Sequence, residues 1–332
     1  MRFRPRLPPG LSAAFWLAAA ILLLAEAALH CDAMVHRYRS VFAVGRAMDK
    51  VLYVEHHTPH LLFVGNSRVD NGIDPSTFSR VLQLHQQGAF NLGVPGANAV
   101  IIQGILERLA RKGLLGGQGI REVVFGLDES TLQADDSLGY GIFFVDRATL
   151  WRAGLYRTWL GSWLRLWGYS DNLRQLREPE KALRFLAATL RSSEPVGGAA
   201  AQFHGYRQGF GEAQNLAQLQ RQEAGTRAAP DPTVLAAFRN CLDLLKQQGV
   251  MATVVFMPLR DRSPLFVQTA PPEAAPYRAV LAELRSRRIA VIEAPLDGLT
   301  AEEFINPGHL NDRGAQRFSR ALAEQLMARW RE

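Results

Sequence analysis

Five short apolar runs, interleaved with stretches of helical periodicity, constrain this chain more than any other feature. The runs are Leu61–Val64, Ala89–Leu92, Glu122–Leu127, Met251–Met257 and Ile289–Glu293. A strand covered on both faces reads as a continuous apolar run, and parallel neighbours need a crossover that a helix supplies. Helical patterns fall at Pro75–Leu84, Ala99–Lys112, Thr233–Gln248, Pro276–Arg287 and Gly314–Arg331. Strands alternating with helices of this length predict βαβ units and a parallel sheet. The alternation lapses from Tyr140 to Pro232, where Trp151, Trp159, Trp163 and Trp167 stand among Arg152, Arg157 and Arg165. Glycine, alanine and glutamine follow from Gly197 to Gln222. This stretch reads as an insertion or cap, helical at first and irregular later.

The N-terminus is set apart. Arg2, Arg4 and Arg6 precede Leu11–Leu29, a run of 19 residues whose only charge is Glu26. That length suits a helix crossing a hydrocarbon core of roughly 30 Å. Cleavable signal peptides carry a shorter apolar region, so an uncleaved anchor is expected, although Ala25, Ala27 and Ala28 leave cleavage open. The arginines on the short side predict a cytoplasmic N-terminus and everything after residue 30 outside. The expected organisation is an anchor at 1–30, a helical stalk at 31–57, a first part of the main domain at 58–139, the insertion at 140–232 and a second part at 233–332. With 332 residues and 48% hydrophobic content the chain can bury a substantial core, which excludes a disordered protein. Cys31 and Cys241 are its only cysteines, so a disulfide framework is not expected. The net charge of +7 falls to +4 without the three N-terminal arginines, a modest excess that suggests an anionic membrane surface or an acidic polymer nearby and lacks the clustering of a nucleic-acid face.

Two segments carry residues suited to nucleophilic chemistry. Gly65-Asn66-Ser67-Arg68 follows the first strand at a turn, where Ser67 either acts as a nucleophile or merely caps the next helix. A serine hydroxyl is nearly inert at neutral pH unless a base takes its proton. Near the C-terminus, Phe304–Gly314 reads FINPGHLNDRG and supplies His309 in a polar loop directly before a helix. After the second strand, Asn91–Asn98 reads NLGVPGAN. Its Gly93, Gly96 and Asn98 are candidate donors to a developing oxyanion, or parts of a turn needed only for its geometry. These segments all fall at the carboxyl ends of predicted strands, where open parallel sheets bind ligands.

Taken together, these blocks resemble the SGNH (GDSL-type) hydrolases and acyltransferases. GNSR is similar to the first block of that family, with Ser67 as the implied nucleophile. Gly96, five residues after Asn91, falls on the second block's glycine, and HLNDRG resembles the last block, with His309 as the implied base. The resemblance covers about residues 58–135 and 233–330. It implies an α/β, three-layer flavodoxin-like domain with a parallel sheet, joined here to an N-terminal transmembrane helix and a largely helical insertion. The anchor and the HLN-x-x-G ending look closest to envelope proteins of exopolysaccharide O-acylation. Those relatives imply an acyl donor, a carbohydrate polymer as acceptor, no cofactor, and a multispanning membrane O-acyltransferase as a candidate partner. They also imply a single-pass protein of a bacterial inner membrane with its C-terminal domain in the periplasm or exterior.

Two positions depart from the family pattern. The aspartate expected three residues before the histidine is Asn306, which can hold an imidazole tautomer but cannot offset its developing charge. The third block's asparagine is missing, since the matching stretch reads Gly126-Leu-Asp-Glu-Ser130. Asp128 there is expected first as a structural cap and second as a replacement orienting acid. The expected activity is O-acyl transfer, with a carbohydrate esterase and a noncatalytic assembly subunit as alternatives. His56, His57 and His60 lack accompanying carboxylates or cysteines, so no metal site is expected. The Trp/Arg stretch reads as a packed helix face, or as a surface for glycan stacking or a membrane partner. No P-loop or dinucleotide fingerprint occurs.

Overall fold

The structure is a computed structural model and describes residues 12–39, 45–83, 88–135, 139–190, 201–209, 211, 229–260, 266, 272–293 and 299–330. The five apolar runs form five strands: β1 (Leu61–Gly65), β2 (Ala89–Gly93), β3 (Glu122–Leu127), β4 (Met251–Phe256) and β5 (Ala290–Ile292). All neighbours are parallel, in the order β2-β1-β3-β4-β5. That is the order of flavodoxin-like doubly wound sheets.

Side chains alternate between the two faces, as a pleated strand requires. Leu62 and Val64 of β1 enter one hydrophobic cluster, together with Val123 and Phe125 of β3. Phe63 and Val124 enter the other. The first face is covered by α3 (Gly45–His57), α6 (Ala99–Arg111), α13 (Pro232–Gln247) and α14 (Ala275–Ser286). The second is covered by α4 (Ser67–Gly72), α5 (Pro75–Val81) and α15 (Asp312–Trp330). Helix starts follow local chemistry: Asp74 caps α5 and Asp231 caps α13, each followed by a proline whose missing N–H is no loss there.

N-terminal to the sheet lie α1 (Ala13–Leu29) and α2 (Asp32–Arg37). The insertion between β3 and α13 contains α7 (Gly141–Phe144), α8 (Arg147–Arg152), α9 (Tyr156–Trp163), α10 (Arg165–Gly168), α11 (Ser170–Arg174) and α12 (Pro179–Leu190). Most of the glycine, alanine and glutamine stretch falls outside the described residues. The part that is described returns to the domain, where the His204 carbonyl accepts the Asn91 amide at 2.8 Å along the edge strand β2. Covering an edge in this way removes an open template for pairing.

Three features differ from the sequence-based expectations. Over Gly45–His57 the expected stalk is a core helix: Val51 and Val54 are fully buried and Tyr53 stacks on Phe90 of β2. Helix α1 has 17 residues, about 26 Å of rise, and among the described residues no helix is long and apolar enough to cross a membrane. Third, the polar loop at Phe304–Gly314 contains a small antiparallel hairpin of β6 (Phe304–Asn306) and β7 (His309–Leu310). Its side chains Phe304 and Leu310 are buried against α15, and that burial overrides the turn-rich local sequence.

Candidate active site

Ser67 is the first residue of α4, directly after β1. Asn66 is the N-cap, and its side-chain oxygen accepts the Arg68 amide at 2.9 Å. The turn is tight because Gly65 has no side chain: a Cβ there would come within 2.7 Å of the Gly126 carbonyl on β3. β1 and β3 are sheet neighbours, while the connections from β1 and β2 leave in opposite directions. Ser67 therefore lies at the topological switch point, where a crevice opens beyond the strand ends.

The β6–β7 hairpin brings His309 to the same crevice. Its Nε2 is 2.8 Å from Ser67 Oγ, and its Nδ1 is 2.9 Å from Asn306 Oδ1. The Gly308 amide also donates to Asn306 Oδ1, at 3.0 Å, which fixes that atom as an acceptor. His309 must then carry its proton on Nδ1, leaving Nε2 free to accept the serine proton. Burial lowers the His309 pKa to about 4, assisted by the Arg68 and Arg207 guanidinium groups and opposed by Asp128. The ring is therefore neutral at pH 7, ready as a base, and its cation is expensive to form.

Arg68 holds the hairpin from the other side. Its guanidinium donates to Glu129 at 3.1 and 3.2 Å, and a Cβ on Gly308 would come within 2.9 Å of Arg68 Nε. The glycine lets the arginine lie flat against the hairpin turn.

Of the candidate oxyanion donors, Gly96 retains an unengaged amide among the described residues. It has φ +75° at the third position of a turn closed by Ala97 N–H to Val94 C=O at 3.0 Å. Proline followed by a positive-φ glycine is the type II turn pattern. The Ser67 amide, in the first turn of α4, has no intrahelical acceptor either. Gly93 and Asn98 do not fit the donor role. The Gly93 amide donates to Asn91 Oδ1 at 2.8 Å, and the missing side chain serves close packing: a Cβ would stand 2.4 Å from the Asp70 amide nitrogen. Asn98 caps α6 through Oδ1, and its Nδ2 donates to the Gln133 and Asp135 carbonyls.

Asp128 takes the structural role. It accepts from Asn66 Nδ2 at 2.8 Å, Ser130 Oγ at 2.6 Å and the Thr131 amide at 3.0 Å, and it makes no hydrogen bond to His309. Burial pushes its pKa up, but Arg68 and these hydrogen bonds overcome that and hold it below the usual range. It keeps Asn66 in place, and Asn66 places Ser67.

A second charged group lies behind the nucleophile and was not apparent from the sequence. Lys50 of α3 and Asp70 of α4 are both fully buried, with Nζ 2.5 Å from Oδ1. Lys50 also donates to the Gly93 carbonyl at 2.6 Å, and Arg46 reaches the same Asp70 oxygen at 3.0 Å. Burial lowers the Lys50 pKa, against the pull of Asp70. One pair thus ties the nucleophile's helix to α3 and to the strand beside the site.

Among the described residues no group of His, Cys, Asp or Glu is placed to hold a metal ion. His56 and His57 instead meet the carbonyls of Leu52 and Tyr53 near the end of α3. Cys31 and Cys241 are both free thiols, the first exposed and the second buried. No protein-family model matches the chain, and no curated protein is significantly similar to it. The site's own geometry therefore carries the functional reading.

Proposed function

We propose that the protein is an SGNH-type O-acyltransferase acting through an acyl-serine on an envelope or exopolysaccharide carbohydrate outside the cytoplasm. The observation behind this reading is the continuous hydrogen-bonded chain Ser67–His309–Asn306 at the switch point of a parallel sheet. His309 Nε2 takes the Ser67 proton as Oγ attacks the acyl carbonyl. The Ser67 and Gly96 amides are the donors assigned to the developing oxyanion. The intermediate collapses by expelling the donor's leaving group, which takes the proton from His309. A sugar hydroxyl, deprotonated by the same nitrogen, then attacks the acyl-serine, and ester formation frees Ser67. Water in place of the sugar gives an esterase, so exclusion of water decides the outcome, and the insertion is the candidate lid. The apolar N-terminal run supports placement at the inner membrane, with a multispanning acyltransferase as a candidate partner.

Covalent labelling of the full chain by a fluorophosphonate tests the reading. Labelling is expected in wild type and absent from both Ser67→Ala and His309→Ala. Labelling that persists in Ser67→Ala would remove Ser67 from the chemistry. Product analysis with a sugar acceptor separates transfer from hydrolysis. Asn306 favours one further reading, a noncatalytic assembly subunit that keeps the fold, because a neutral amide gives the imidazolium no charge partner. Cellular activity that survives Ser67→Ala but fails when the insertion is replaced would establish that role.

A further inference from the structure

Part of the insertion turns large apolar residues outward, although Phe144, Leu150 and Tyr169 are buried in the core. In α9 the buried side chains are Thr158 and Ser162, beside Gly161, whereas Trp163 is 50% and Leu160 42% exposed. Leu164, just past the helix, is 51% exposed, and Trp167 in α10 is 45% exposed. Leu164, at φ −114° and ψ 78°, ends α9 and turns the chain so that Gly168 packs against Gly161, and each of the two short helices keeps a tryptophan outside. Helix α12 repeats the arrangement, exposing Leu183, Leu186 and Leu190 at i, i+3 and i+7. A helix facing water places polar side chains outside, whereas these helices add large apolar ones there, in α12 beside the exposed Glu180–Arg184 pair.

The surroundings of the face indicate what covers it. From Arg147 to Ser170 there are four arginines and no Asp or Glu. Arg147 lies over the Trp163 ring at 3.8 Å, and Arg157 approaches the Trp167 ring at 6.0 Å. Tryptophan beside arginine suits the boundary between acyl chains and anionic headgroups. Helix α1 packs beside α10, buries no residue of its own and exposes Phe15, Leu17 and Leu22 to Leu24. The base of α1 is fixed to the insertion by Glu26. Its carboxylate accepts the Arg165 and Leu166 amides at 2.7 and 2.8 Å, and Arg165 donates to the Leu29 carbonyl at 2.8 Å. The one charge in the apolar run is thus a hinge pin between helix and cap.

We propose that α8–α10, with the leucine face of α12, form a platform that lies on the headgroup region of an anionic bilayer, beside the exposed apolar side chains of α1. The platform holds the crevice of Ser67 at a fixed place relative to the membrane. This inference does not rest on the catalytic reading.

Quenching of tryptophan fluorescence by bromolipid tests it in the full chain. With Trp16→Phe and Trp330→Phe, the remaining tryptophans are 151, 159, 163 and 167, all in the platform. In vesicles of phosphatidylglycerol and brominated phosphatidylcholine their emission is expected to fall about twofold, as for rings seated at the acyl boundary. Arg152→Glu with Arg157→Glu is expected to return emission to its level in phosphatidylcholine alone, with thermal unfolding unchanged. Absence of quenching in either lipid would overturn the proposal and leave a protein as the covering partner. Equal quenching with and without phosphatidylglycerol would overturn the anionic surface. Fluorophosphonate labelling is a separate readout, so failure of either proposal leaves the other standing.

Discussion

Asn306 sets the behaviour of the site at the level of single residues. It accepts from both His309 Nδ1 and the Gly308 amide, so the ring has the tautomer a base needs, but the amide carries no charge to steady the imidazolium. With His309 lowered to about 4, labelling of Ser67 is expected to stay constant from neutral pH downward and to fall only as the ring protonates near that value. Asn306→Asp adds a carboxylate in contact with the ring, which favours the cation and raises the His309 pKa by about 1–3 units. The acid limb of the labelling profile therefore moves to higher pH by that amount, and the plateau rate rises. A profile that does not move would show that residue 306 leaves the ring in solution. Gly93→Ala makes a different point: its methyl meets the Asp70 amide nitrogen, part of a backbone that cannot swing aside. About 1–3 kcal/mol of destabilisation in urea unfolding is expected, as for other overpacked sites, with Ser67 labelling slowed because α4 must shift.

Contacts between elements depend on a buried pair. Lys50 and Asp70 join α3 to α4, and neither contacts bulk water. Removing one partner strands the other, so Asp70→Ala is expected to cost about 3–5 kcal/mol, read from the urea midpoint. The double change Lys50→Met with Asp70→Leu is expected to recover part of that loss, since the two apolar groups need no partner, while the partly exposed Arg46 keeps the Gly205 carbonyl. A double variant no more stable than Asp70→Ala would mean that packing, and not the stranded charge, governs the site. The strands themselves follow from their apolar runs, because burial on both faces leaves one solution for such segments. The hairpin that carries His309 does not. Its sequence is that of a turn, and only Phe304 and Leu310 packing on α15 makes it a strand pair.

Across the whole molecule, β1 and β3 are each flanked on both sides, whereas β5 is an outer strand of three residues with Ala290 and Val291 partly exposed. The Phe63 and Val124 amides are therefore expected to exchange with solvent only through global opening, and Val291 to exchange faster through local opening. Equal rates in β3 and β5 would mean that the sheet opens only as one unit. The sequence alone determined the parallel α/β class and the five strands, and it singled out Ser67 and His309 as candidates, because hydrophobic period and turn chemistry are local properties. Tertiary structure decided the rest. It turned the expected stalk into a core helix that carries Lys50. It assigned Gly93 and Asn98 to packing and capping while leaving Gly96 open, and it brought His309 within 2.8 Å of a serine 242 positions away. Those outcomes depend on which groups share a buried space, and sequence spacing does not encode that.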